Sequence, residues 1–283
     1  MSAVAAPARP SAPATGSPHL SFGHLLRSEW IKFWSVRSSI WTLGVLFVVM
    51  IGLVALIAGL TANDLSGTED SGPVALLPFL PATQLAQLAV VVLGVLTITG
   101  EYTTGMIRSS LTAAPRRTPV YWSKMVVLGG SILVISAVAV AISAFISNAF
   151  LDPKGFGLDL GDTETVRVLV GNVLYITTIA LFAFALGALL KHSAAAMATI
   201  LGLLLIIENV LNAIPWEPLH YVAPLLPGSA GSRITQSDAV VQTINDQWDV
   251  GPNLSAWQGY GVLVAWVVLI IAIAAFRLKR KDA

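Results

Sequence analysis

One carboxylate, Glu208, lies inside the otherwise apolar run Ala194–Ile214. A carboxylate near the centre of a bilayer costs at least about 2.5 kcal/mol and less toward the interface, so such a group faces protein or water. Amides occur at a matching depth in other apolar runs: Gln84, Gln87, Asn148 and Asn172, with Asn209 and Asn212 beside Glu208. Two readings stay open. These groups line an outer vestibule or latch, or they make hydrogen bonds between helices near helix ends, where polar residues are tolerated. Catalytic sets are missing. The histidines, His19, His24, His192 and His220, avoid the apolar runs and lack the spacing of a metal pair. There is no cysteine, so disulfides, thiolate metal sites and a Cys nucleophile are excluded. An intramembrane protease needs paired carboxylates or Ser and His inside the spans. No G-x-x-x-x-G-K-[ST] phosphate loop occurs, and no nucleic-acid motif is present.

A second chemical feature is the segment Glu101–Lys124, EYTTGMIRSSLTAAPRRTPVYWSK, with four basic residues and one acid. Tyr102–Leu111 is able to form a short helix, Thr103 or Thr104 is placed to cap it, and Pro115 and Pro119 break it. It is either a loop that only fixes topology or a docking element for a cytoplasmic partner. Upstream, Phe22–Ser39 places Phe22, Leu25, Leu26, Trp30, Phe33 and Trp34 at helical spacing, with His24, Arg27, Ser28, Lys32 and Ser35 mostly opposite. This predicts an amphipathic helix in the membrane interface, its basic residues toward anionic lipid.

These residues need a scaffold, and the composition names its class. The 283-residue chain is 55% hydrophobic and 11% charged, against about 25% charged in soluble domains. A soluble enzyme and a disordered chain are both excluded, which leaves a polytopic membrane protein. Six runs are long enough to span a core about 30 Å thick: Ile40–Leu60, Phe79–Gly100, Met125–Phe150, Val168–Leu190, Ala194–Ile214 and Trp257–Phe276. They are continuous, unlike the alternating strands of a barrel. The Ala/Pro/Ser-rich start, residues 1–21, predicts a disordered cytoplasmic tail rather than a signal peptide.

Thirteen of the 16 Lys and Arg residues fall on the side of the termini, leaving Lys154, Arg167 and Arg233 on the other. The positive-inside rule puts both termini in the cytoplasm of a plasma membrane. Eleven of the 15 acids lie on the opposite side. Trp41 and Trp122 mark inner ends of spans, and Trp216 and Trp257 outer ends. Ala55-x-x-x-Gly59 and Ala183-x-x-x-Gly187 offer small faces for close packing, read as packing within the chain.

The motif Glu-Tyr-x-x-Gly-x-Ile-Arg-x-x-Leu-x-x-x-Pro-x-Arg, from Glu101 to Arg117, with Lys124 opening the third span, resembles the loop of ABC-2 type transporter permeases, closest to their actinobacterial branch. Leu26-Arg27-Ser28-Glu29-Trp30-x-Lys32, ahead of Arg37-Ser38, resembles that family's N-terminal elbow, and Arg280-Lys281-Asp282-Ala283 its ending. The likeness covers residues 22–283. It implies an all-α membrane protein of six transmembrane helices with both termini cytoplasmic, an N-terminal interfacial helix and a short coupling helix after span two. The implied role is the permease subunit of an ATP-binding cassette exporter, not itself an enzyme. It would pair with a second permease subunit, identical or not, and work by alternating access. A separate cytoplasmic ATPase would bind the ATP and Mg, so this chain would need no cofactor. Glu101, Tyr102, Gly105, Arg108, Pro115, Arg116 and Arg117 would form the coupling region, and Arg27, Glu29, Trp30, Lys32 and Arg37 the connecting helix. The Pro-rich start and the outer loop 215–256 match nothing in that pattern. Two rivals remain: a stand-alone ion-coupled carrier using Glu208, and a non-transporting immunity or anchor protein. The substrate is unnamed by the sequence.

Overall fold

A computed structural model describes residues 22–64, 74–103, 117–214, 216–246 and 251–280. The expected tail 1–21 lies outside them, as do Gly105, Arg108, Pro115 and Arg116 of the loop after span two. No strand occurs among the described residues.

Helix α1 is Phe22–Ser35 and α2 is Arg37–Asp64, with a break at Val36. The other long helices are α3 Phe79–Thr103, α4 Arg117–Leu151 and α5 Thr163–Leu190. They are followed by α6 Ser193–Ala213 and, last in the chain, α10 Ala256–Arg280. Between α6 and α10 come three short helices: α7 Glu217–Val222, α8 Pro227–Gly231 and α9 Asp238–Asp246. Six helices, α2 to α6 and α10, are long and apolar enough to cross a membrane. Each expected span falls within one of them, except that Ile214 lies one residue past the end of α6, and most of the helices are longer than the span expected.

Their lengths follow from local chemistry. Asp162 caps α5, its carboxylate accepting the N–H groups of Glu164 and Thr165. Those bonds, that from Thr165 first, hold the Asp162 carboxyl below its ordinary value. At the other end Lys191 adopts φ 56° and its N–H closes on Gly187, the left-handed C-cap geometry usually given to glycine. His192 then caps α6, Nδ1 accepting the N–H of Ala195, so two residues complete the α5–α6 hairpin.

Helix α5 is the hub. It packs on α3, α4, α6 and α10, and 72% of its most apolar stretch is buried, against 22% for α6 and α10. The α3–α5 contact is close because it is built from small residues: a Cβ on Gly94 would lie 2.5 Å from the Ala180 carbonyl oxygen. Ala183 and Gly187 face α3 in the same seam, so this small-residue face serves packing within the chain. Along α2, the expected face is looser; a Cβ on Gly59 would meet the Phe150 ring at 3.8 Å, an ordinary contact distance.

Two features depart from a plain six-helix reading. Gly202–Ile207 of α6 is π-helical, and the N–H of Glu208 reaches back five residues to Leu203. The segment after α6, expected as a loop, is folded into the bundle. Ala223, Ala230, Ile234 and Val241 are buried, and the Ile234 carbonyl packs directly against Gly171 of α5. Its helices are five to nine residues long, with Pro218 and Pro227 in the first turns of α7 and α8, and α7 and α8 are too short for a hydrophobic period to emerge from the sequence.

Candidate functional site

The end of the bundle that carries α1, the terminal face, holds four charges in contact. Lys124 of α4 donates to Glu29 of α1 at 2.6 Å and to Glu101 of α3 at 2.6 Å. Lys32 of α1 also pairs with Glu101. The Lys124 and Glu101 side chains are 3% and 7% exposed. Two cations and two carboxylates balance, as buried charges require. Burial, then the neighbouring Lys124 charge, holds the Lys32 ammonium below its ordinary value, with Glu29 pulling the other way. The cluster borders a largely apolar cavity of about 320 Å³ between α1, α2, α3 and α4.

This arrangement revises the reading of α1. Lys32 turns inward to Glu101 instead of toward lipid, because a buried carboxylate offers it more than a headgroup does. Phe33 is buried, Trp34 packs on the core, and Trp30, Arg27 and Arg37 are exposed. Of the expected coupling residues, Glu101 is buried in this node. Tyr102 lies under the Lys191 ammonium, 5.7 Å from the ring centre. Arg117 belongs to the first turn of α4. The sequence signal for the node was available: Glu29, Lys32, Glu101 and Lys124 are four charges close to the ends of apolar runs.

At the opposite, distal end, five of the seven predicted vestibule residues line one cavity of about 350 Å³: Gln84, Gln87, Glu208, Asn209 and Asn212. Glu208 is 4% exposed. Its Oε1 accepts the Gly228 N–H at 2.8 Å, and Oε2 accepts the N–H and, at 2.9 Å, the hydroxyl of Ser229. The carboxylate therefore satisfies the first turn of α8. Asn212 donates to the Glu208 carbonyl and to Ser229 Oγ. Across the cavity, the Tyr175 hydroxyl donates to Gln87 Oε1 at 2.8 Å, and Gln87 donates to Gln84 at 2.6 Å.

The two other amides are elsewhere. Asn172 is buried on α5 against α3, accepting from Thr83 and donating to the Val168 carbonyl. Asn148 is on α4, which packs against α2 and α5, and it accepts the Leu158 N–H at 2.6 Å. Four of the six amides and Glu208 line one cavity, and Thr83–Asn172 and Tyr175–Gln87 join α3 to α5.

Sequence reasoning missed the other half of the cavity: Tyr175, Ser229, Ser232, Arg233 and Gln236. Arg233 is 3% exposed. Its Nη1 donates to Asn245 Oδ1 and, at 2.8 Å, to the Leu254 carbonyl. No carboxylate of the described residues lies within 4.0 Å of it, and burial lowers its pKa. Its signal in the sequence was its place: it is one of only three cations on the acid-rich side.

Fold and sites together define an α-helical membrane protein whose buried charges sit at the two ends of its bundle. Residues 75–283, from just ahead of α3 through α10 to the end of the sequence, match the family described as "Protein of unknown function (DUF2705)", and the chain belongs to that family. No curated protein matches it.

Proposed function

We propose that this chain is the membrane permease subunit of an ATP-driven exporter, with both termini in the cytoplasm of the plasma membrane. A separate ATPase would engage the segment after α3 and bind the ATP and Mg. One observation carries the reading. Glu101, near the end of α3 that precedes residues 104–116 in the chain, is tied to α1 through Lys32 and to α4 through Lys124. Next to it, Tyr102 is tied to the α5–α6 hairpin through Lys191. A displacement applied to that segment reaches several spans at once, as a coupling element must. The resemblance of Glu101–Arg117 to ABC-2 type permease loops points the same way, and a second permease subunit would complete the pathway.

The rival, an ion-coupled carrier with Glu208 as its relay, is less favoured, since Glu208 is the one carboxylate among the described residues lining its cavity and has no second acid there to pass an ion to. The test is to express the full chain with and without an ATPase encoded beside it and to follow export into inside-out vesicles. Uptake that needs both ATP and the partner is expected. Uptake without either would overturn the proposal.

A further inference from the structure

The distal cavity contains more charge than its own contacts neutralise. Among the described residues, Arg233 meets only neutral acceptors, and its buried Nε has no partner. Gln236, 9% exposed, has a buried Oε1 that accepts nothing. Glu208 faces the same cavity. A carboxylate offers about four lone-pair sites, and its Oε1 receives a single bond, from Gly228. Buried cations are ordinarily paired, and buried acceptors ordinarily find donors. Here a cation lacks a counter-ion among the described residues and two acceptors have capacity to spare, around a space of about 350 Å³. Ligand pockets begin at about 300 Å³.

We infer that this cavity binds a small zwitterion, its anionic group toward Arg233 and its cationic nitrogen toward Glu208. The choice follows from the signs. An anion alone would pair with Arg233 but face the Glu208 carboxylate, and a cation alone would meet the reverse. A molecule carrying both neutralises each where it stands. Gln87, held by Tyr175 and Gln84, gives the site a fixed polar wall. Leu204 and Pro224 supply an apolar one. Asn209, exposed at the rim, marks the entrance. This binding is a property of the chain alone and does not depend on the exporter reading, because it needs neither ATP nor a partner.

The test uses the full chain purified in lipid nanodiscs, without any ATPase, and calorimetric titration with glycine, L-serine and L-glutamine. N-acetyl-L-glutamine and L-glutamine amide serve as probes that retain one charge each. Saturable binding of at least one free amino acid is expected. For L-glutamine, each single-charge analogue should bind about thirtyfold or more weakly, the loss expected when one partner of a desolvated charge pair is removed. Asn209→Trp, at an exposed position, should leave the thermal midpoint unchanged and weaken binding about tenfold or more by obstructing the entrance. No binding by any of the three amino acids would mean a water-filled polar core and overturn the proposal. So would analogues that bind as well as L-glutamine, or binding that Asn209→Trp leaves intact.

Discussion

The two ends of the bundle solve the same problem differently. At the terminal face, Glu29, Lys32, Glu101 and Lys124 touch one another and cancel. At the distal end, Glu208 and Arg233 share a cavity but not a contact. One is met by backbone N–H groups, the other by a carbonyl and an amide. Direct pairing makes a joint: three helices, α1, α3 and α4, cannot separate without exposing a charge. Pairing with neutral dipoles instead fixes each charge to its own segment and leaves space between them.

The largest effect that would sharpen this contrast is at Lys124. Lys124→Met strands Glu29 and leaves Glu101 with Lys32 alone, and breaking a buried pair from one side costs about 3–5 kcal/mol. The variant should lose most of its folded yield, while Glu101→Gln combined with Lys124→Met should recover part of it. Fluorescence-detected gel filtration after heating reads both. Equal loss in the single and the double variant would show that the node is not a paired unit.

Glu208→Ala should cost less, about 1–3 kcal/mol, because it removes a buried charge and strands only neutral donors of Gly228 and Ser229. Hydrogen exchange should rise locally, in residues 227–231, with Glu208→Gln intermediate. Exchange that rises across the whole bundle instead would make Glu208 a joint like Lys124 and erase the difference between the ends.

How far the sequence foretold this depends on what each feature obeys. The six long helices were legible because lipid demands long apolar runs. Which of them is central was not. Helix α2 has the highest mean hydropathy, 2.9, yet 28% of that stretch is buried, while α5, at 2.3, is 72% buried. In lipid an apolar surface gains little by burial against protein, so small residues such as Gly94 and Ala183 decide the packing instead. Glu208 and the neighbouring amides were legible as polar residues out of place. Their partners, Gly228, Ser229 and Arg233, were not, since they come from short turns without a periodic pattern. The inward turn of Lys32 was hidden too, because the sequence does not say which charges meet across helices.

The smallest expected effect is at the surface. Arg167 and Asp238 pair at 2.9 Å, but the Asp238 side chain is 59% exposed. Asp238→Asn should shift stability by about 1 kcal/mol or less, and less still in high salt. A change as large as that of Glu208→Ala in the same heating assay would mean that exposure does not separate these charges from the buried ones.

The π-helical stretch in α6 turns chain length into a specification. Ala196, Ile200, Leu204 and Glu208 are all buried, a stripe with a period of four. In a regular helix each residue turns about 100°, so a period of four drifts about 40° per step. The wider turns between Gly202 and Ile207 reduce that drift and keep Glu208 on the stripe. Residue count here is therefore as informative as residue identity. A homologue with one residue fewer in this stretch can keep its carboxylate and still face the same neighbours, with an ordinary helix in place of the π-turns.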